Sequence, residues 1–259
     1  MENLLIKKLK SGKKVLGTFF EIGSISAIEA LAYTGLDYII IDSEHGPFGI
    51  ESNMEFIRAA ELKNLTPLVR IHEVSRSAVL KNLDIGAKGL IIPCVESVEQ
   101  VKDLVKWGKY APVGQRGFFT ARPTGYGFED FSKDIPTLFN TSNRETLLIP
   151  QCETLGCLNN IEEITSIEGV DGIFIGPYDL SISMGIAGEF SNPKFLAAIE
   201  RILKSCKDNN KLCFMFTMNP KMANTYFEQG FDAVAVGMDI SFFIKSLKDV
   251  VKSIRHEEE

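Results

Sequence analysis

The sequence is short of the features that mark several functional classes. It has three histidines and one tryptophan in 259 residues, and no apolar run approaches the ~20 residues of a membrane span. No block of one charge sign stands out, and the net charge is −6, which argues against a nucleic-acid partner. The Lys-rich opening, Leu4-Leu-Ile-Lys-Lys-Leu-Lys-Ser-Gly-Lys-Lys, mixes apolar and basic residues as a solvated amphipathic helix does. It lacks the basic-then-apolar layout of a signal peptide, so a cytoplasmic location is expected, with neither membrane nor nucleic acid as partner. The five cysteines (Cys94, Cys152, Cys157, Cys206 and Cys213) are odd in number and fit no zinc spacing. They are expected to be buried free thiols in a reducing compartment. A GxGxxG dinucleotide fingerprint is also missing.

What is present is a rhythm. Short runs that are apolar throughout recur, as in parallel strands covered on both faces, and each is followed by a segment with helical spacing. The runs are Val15–Phe20, Tyr38–Ile41, Pro67–Val69, Gly89–Ile92, Leu147–Pro150, Gly172–Ile175, Leu212–Phe216 and Ala233–Val236. The helical candidates are Ile25–Tyr33, Ser52–Lys63, Ser75–Leu83, Val98–Trp107, Asn159–Thr165, Pro193–Lys207, Pro220–Gln229 and Ile240–Ile254, with Asn3–Lys10 as an extra closing helix. Strict β–α alternation over about 250 residues, without the fingerprint at the first turn, favours a closed (β/α)8 barrel over an open sheet. The joints Gly35-Leu-Asp, Gly86-Ala-Lys, Gly169-Val-Asp and Gly230-Phe-Asp place glycine where a helix should stop. They read as repeated units of one domain over 1–259. Two stretches break the rhythm: 111–134, rich in Pro, Gly and Arg, which reads as an active-site cover or a merely mobile loop, and 178–192.

In such barrels chemistry sits at the C-terminal ends of the strands. There the sequence places Glu21, then Asp42, Glu44 and His45, then Arg70, then Gln151 and Glu153, then Asp179, and finally Gly237 and Asp239. Carboxylates gathered at one partly dry rim require compensation by a ligand or a metal. Glu153 and Asp179, on adjacent strands, suit a hard cation such as Mg²⁺ or Mn²⁺; their plainer role is to cap the following helices. His45 suits a general base, or else is a hydrogen-bonded loop histidine. Arg70 suits an oxyanion, or else a structural ion pair.

At these residues the sequence resembles the HpcH/HpaI aldolase family of metal-dependent class II pyruvate aldolases. The matching segments are Asp42-Ser-Glu-His-Gly, Pro67-Leu-Val-Arg, Leu83-Asp-Ile-Gly-Ala-Lys-Gly, Gly114-Gln-Arg-Gly, Gln151-Cys-Glu-Thr, Phe174-Ile-Gly-Pro-Tyr-Asp-Leu-Ser-Ile-Ser-Met-Gly and Val236-Gly-Met-Asp. The resemblance spans nearly the whole chain, and Gly-Pro-Tyr-Asp-Leu-Ser is its most specific part. It implies a TIM barrel of the phosphoenolpyruvate/pyruvate-domain type and one Mg²⁺-, Mn²⁺- or Co²⁺-like ion on Glu153 and Asp179. The implied reaction is reversible cleavage of a 4-hydroxy-2-oxo acid to pyruvate and an aldehyde. By the same resemblance Arg70 contacts the keto oxygen, and His45, oriented by Asp42, moves the proton of the aldol hydroxyl. Gln151 holds the substrate, backbone groups of Gly176, Pro177 and Tyr178 take its carboxylate, and the chain is a homo-oligomer, a hexamer with its last helix on a neighbour. No Schiff-base lysine is then required, and no strand end offers one.

Cys152, Cys157, a Tyr178 bulkier than the alanine of some relatives, and Gly117-Phe-Phe-Thr-Ala-Arg-Pro depart from the family pattern. They leave substrate size and aldehyde recognition open. The rival readings are a citrate-lyase-β-like malyl- or citramalyl-CoA lyase, which needs a basic groove where only Lys63, Arg76 and Lys88 are candidates, and a barrel that binds an oxo acid without turnover.

Overall fold

The computed structural model describes residues 2–255; His256 lies outside them. Eight parallel strands close into a barrel in sequential order. They are β1 (Val15–Phe20), β2 (Tyr38–Asp42), β3 (Thr66–Arg70), β4 (Gly89–Ile92), β5 (Leu147–Cys152), β6 (Gly172–Ile175), β7 (Leu212–Thr217) and β8 (Ala233–Met238). The helices before β5 are α1 (Leu4–Lys10), α2 (Ile25–Leu31), α3 (Ile50–Leu62), α4 (Arg76–Asp84), α5 (Val98–Gly108) and α6 (Ile135–Glu145). After it come α7 (Leu155–Asn159), α8 (Ile161–Ser166), α9 (Pro177–Ser183), α10 (Pro193–Asp208), α11 (Pro220–Gln229) and α12 (Asp239–Arg255).

The apolar runs are continuous because each strand faces two dry layers. On β2, Tyr38 and Ile40 join the barrel interior with Leu68, Ile91, Ile149, Phe174 and Phe214, whereas Ile39 and Ile41 pack outward under the helices. The interior is filled, largely by rings: Tyr38 meets Phe214 edge-on at 6.1 Å, and Phe19 meets Phe174 at 6.0 Å. Gly17 makes room for this, since a Cβ there would lie 2.4 Å from the Tyr38 ring. Helix α1 plugs the end where the strands begin. Its Leu5 and Ile6 enter the inner cluster, and the Asn3 amide donates to the carbonyls of Lys88 (2.9 Å) and Glu145 (3.0 Å).

The glycine joints are real helix stops: Gly35, Gly86, Gly169 and Gly230 have φ of 87°, 109°, 93° and 104°, the left-handed region that glycine tolerates best. Three of them share a device. Asp37, Asp171 and Asp232, each two residues past the glycine, accept the N–H of Leu16 (2.9 Å), Leu148 (2.7 Å) and Cys213 (3.0 Å) on the neighbouring strand. At the fourth joint Lys88 stands in that place and pairs with Glu61 at 2.9 Å.

Three differences from the sequence reading have physical causes. Strands β2, β3, β5, β7 and β8 run past the bounds read from the apolar runs, because ladder bonding continues through Asp42, Arg70, Gln151, Thr217 and Met238. Helices α6, α7 and α9 occupy segments read as loops or left unassigned; α6 is nucleated by Asp134, which accepts the Thr137 N–H, and by Pro136 in its first turn. Segment 111–134 does not cover the polar rim. It leaves α5 and leads towards β5, so it lies where strands begin, and Arg122 binds the Glu61 carboxylate and the Ile85 carbonyl there.

Candidate active site

The polar rim forms at the opposite end. Asp42 and Arg70 are partners in the β2–β3 register, and their side chains form a two-bond fork, Nε to Oδ1 at 2.9 Å and Nη2 to Oδ2 at 2.6 Å. Asp42 is fully buried. Its Oδ1 also accepts the N–H groups of Glu44 (3.0 Å) and His45 (3.3 Å), so the turn after β2 wraps around it. Arg70 Nη1 lies 3.0 Å from Glu44 Oε2, and the guanidinium sits 4.8 Å above the Phe19 ring. Burial alone would lower the Arg70 pKa, but Asp42, Glu44 and Glu153 hold it above its ordinary value. The result is a fixed, permanently charged fork.

The β5 end supplies the counterpart. Gln151 and Glu153 are buried, the Gln151 amide donates to Glu153 Oε2, and the Cys94 N–H donates to Glu153 Oε1 at 2.7 Å. Burial pushes the Glu153 carboxyl above the usual carboxylate range, and the charges of Glu44 and Asp179 push the same way against those two hydrogen bonds. Gly176 is required here, because a Cβ would lie 2.7 Å from Glu153 Oε2 and 2.9 Å from Gln151 Nε2. Pro177 starts α9, whose first turn presents exposed Tyr178 and Asp179. A cavity of about 270 Å³ is lined by Glu21, His45, Arg70, Gln151, Gly176 to Asp179 and a floor of aromatic rings.

Several expected roles are revised. Asp42 orients Arg70 and the main chain at His45, not the imidazole; the His45 side chain is 71% exposed, with Nε2 3.9 Å from Glu44 Oε2. The Gly176 N–H is spent on the Cys152 carbonyl (3.3 Å) and Pro177 has none, so donors for a carboxylate in this stretch reduce to the N–H groups of Tyr178 and Asp179. Asp239 serves as a cap, accepting the N–H of Glu21 (2.8 Å) and Ile22 (3.1 Å). Of the rival reading's basic candidates, Lys88 is committed to Glu61 at the far end and Lys63 rests over Tyr33.

One residue was misread. All five cysteines are free and four are buried, but Cys94 is exposed at the rim. One ligand atom each from Glu44, Cys94 and Glu153 lies within 4.8 Å of the others. Burial, Glu153 and Glu44 push the Cys94 thiol up to about 11. The available signal was positional: Cys94 follows Pro93 directly after β4, the rim position to which the sequence reading gave no role.

The donor set fits a divalent cation. Glu44, Glu153 and Glu21 act on the Arg70 guanidinium beside its partner Asp42, Asp179 acts on Glu153, and among the described residues the buried Gln151 Oε1 has no hydrogen-bond partner. Oxygen ligands of this kind suit a hard divalent ion.

A closed parallel barrel with a carboxylate- and arginine-bearing mouth at its strand ends is a (β/α)8 barrel whose polar groups lie where such barrels carry their active sites. Residues 16–246 match the family described as HpcH/HpaI aldolase/citrate lyase. The chain is 33% identical over 248 residues to the hydroxypyruvate/pyruvate aldolase of Agrobacterium fabrum, covering 95% of this chain and 91% of that one. It is 30% identical over 246 residues to the 4-hydroxy-2-oxo-heptane-1,7-dioate aldolase of Escherichia coli, covering 95% and 92%. The crystal structure of an HpcH/HpaI aldolase from Desulfitobacterium hafniense superposes with a TM-score of 0.91 at 28% identity, covering 100% and 98%. The chain therefore belongs to the HpcH/HpaI aldolase/citrate lyase family, and at that level it is a lyase of the aldolase kind.

Proposed function

We propose that this chain is a divalent-metal-dependent aldolase that reversibly cleaves a 4-hydroxy-2-oxo acid to pyruvate and an aldehyde. The observation that carries the reading is the buried Asp42–Arg70 fork set beside the Glu153 carboxylate at the mouth of a cavity sized for a small oxo acid. Glu153 and Asp179 would hold Mg²⁺, Mn²⁺ or Co²⁺, with Glu44 close by. When bound, that ion supplies positive charge to the oxygen on which the enolate develops.

The chain's own groups do the rest. Arg70, with Nε and Nη2 bonded to Asp42 and Nη1 in ion-pair contact with Glu44, offers its remaining N–H groups to the keto oxygen without having to reorganise. Gln151 fixes the Glu153 carboxylate, and the free N–H groups at the start of α9 receive the substrate carboxylate. His45, at the cavity mouth, takes the proton from the aldol hydroxyl as the carbon–carbon bond breaks and returns it in the reverse direction. Deuterium exchange into the pyruvate methyl group, followed by NMR, tests this directly. Exchange should need Mn²⁺ or Mg²⁺, stop with EDTA, and fall by about 100-fold or more in Glu153→Gln. Metal-bound parent protein that exchanges no methyl protons would sink the reading.

A homo-oligomer, hexameric by resemblance, is part of the same proposal. Helix α12 leaves the barrel with Phe243, Leu247, Val250 and Ile254 all at least 49% exposed, a stripe that a neighbouring copy would cover. Leu247→Asp with Ile254→Asp should lower the mass measured by light scattering; an unchanged assembly would remove α12 from the interface.

A further inference from the structure

A second and larger cavity, of about 1140 Å³, runs between α10 and α11 next to the catalytic one. Pro177, Tyr178 and Phe216 line both. Tyr178 is the partition: its ring meets Phe190 edge-on at 4.9 Å on the larger side and lies 6.3 Å from Phe216, and its side chain remains partly exposed. Phe195, Ile199, Leu203, Met222 and Phe231 make the wall of the larger cavity apolar. Its lysines are already engaged, Lys204 with Asp208 at 2.5 Å and Lys207 with the Gln229 carbonyl at 3.2 Å. The catalytic cavity, at about 270 Å³, is below the roughly 300–1,000 Å³ of pockets that enclose sizeable ligands. The adjoining one exceeds that range.

We propose that the α10–α11 cavity is the subsite for the aldehyde-derived half of the substrate and takes a long alkyl or aryl chain that passes between Tyr178 and Phe216. The preferred substrates are then 4-hydroxy-2-oxo acids carrying an extended apolar group on the hydroxyl-bearing carbon. This rests on the pyruvate-aldolase reading above. The reaction is unchanged by it. In the addition direction the pyruvate methyl carbon loses a proton and bonds to the aldehyde carbon, whose oxygen gains a proton.

The test measures kcat/KM for addition of pyruvate to straight-chain aldehydes from acetaldehyde to octanal, with binding of unreactive 1-octanol followed by saturation-transfer NMR. Ile199→Trp and Met222→Trp fill the larger cavity and leave the catalytic one intact. In the parent, kcat/KM should rise by about fourfold per added methylene once the smaller cavity is full, as burial of each methylene predicts. Both tryptophan variants should lose about tenfold or more with octanal, keep acetaldehyde within about twofold, and lose octanol binding. A parent series that is flat, with no octanol bound, overturns the subsite while leaving the aldolase standing. Octanol that binds the parent where no aldehyde is turned over overturns the aldolase reading instead. A change in oligomeric mass in either variant assigns the groove to contact between copies and overturns the proposal. If neither variant folds, competition between octanal and octanol on the parent decides, and its absence counts against the subsite.

Discussion

The two ends of the barrel hold similar polar groups and use them in opposite ways. Where the strands begin, charges are paired, although burial still pushes the Asp171 carboxyl above its usual range. Lys109 is almost fully buried, yet its ammonium donates to the carbonyls of Asn143 (2.8 Å) and Thr146 (2.6 Å) and pairs with Asp171 at 2.8 Å. Glu61 answers both Lys88 and Arg122, and those two cations outweigh its burial, holding its carboxyl below the usual range. Where the strands end, carboxylates outnumber cations, and burial with mutual repulsion pushes Glu21 and Glu153 upward. A matched end is stable by itself. The unmatched end has Arg70 for several carboxylates, a surplus that the metal ion of the proposed reaction would offset, so function and stability would be separated along the barrel axis.

The largest expected effect breaks the unmatched end. Arg70→Lys keeps the charge but loses the planar fork on Asp42 and the second contact to Glu44. Pyruvate-methyl exchange should fall by about 10²- to 10³-fold, the usual scale for removing a charge-stabilising donor. A loss under about tenfold would show that Arg70 is a structural partner of Asp42 and no more.

The opposite test strikes the matched end. Lys109→Met removes the ammonium, leaves two carbonyls without that donor and deprives the Asp171 carboxylate of its ion pair, with the Leu148 N–H remaining. The cost should be about 3 kcal/mol, as for other broken buried pairs. In a chain of this size the melting temperature should fall by roughly 6–12 °C, with exchange per folded molecule unchanged. A variant that keeps its melting point but loses exchange would erase the division between the two ends.

How much of this was readable in advance follows the same axis. The strands were legible because a parallel strand buried on both faces leaves an uninterrupted apolar run, and Tyr38-Ile-Ile-Ile is buried at every position. The rim residues were legible because Asp42, Arg70 and Gln151 are the first polar residues after such runs, and Glu153 follows two positions on. Who touches whom was not. Asp42 and His45 are close in sequence, but the carboxylate of Asp42 turns to Arg70, twenty-eight positions away, because the β2–β3 register sets those two side by side. Cys94 reads as a buried thiol with the other four, although the run Gly89–Ile92 already ends two residues before it and places it at the rim. The short helices α7 and α9 have too few turns to show a period.

The smallest expected effect sharpens the comparison at Cys94 itself. Its chain is held at a φ of 53°, a conformation uncommon for residues other than glycine, and from there it donates the N–H that fixes Glu153. The thiol is 3.8 Å from Glu44 Oε1. If the backbone is what matters, Cys94→Ala keeps the donor, and exchange should stay within about threefold of the parent, as for a side chain outside the reacting groups. Cys94→Gly should also keep activity and gain up to about 1 kcal/mol, because glycine adopts positive φ without the Cβ penalty, offset in part by its greater freedom when unfolded. A loss in Cys94→Ala as deep as that of Glu153→Gln would instead place the sulfur among the groups that act on the bound metal. In that case the unmatched end would owe its chemistry to a soft ligand as well as to its surplus of carboxylates.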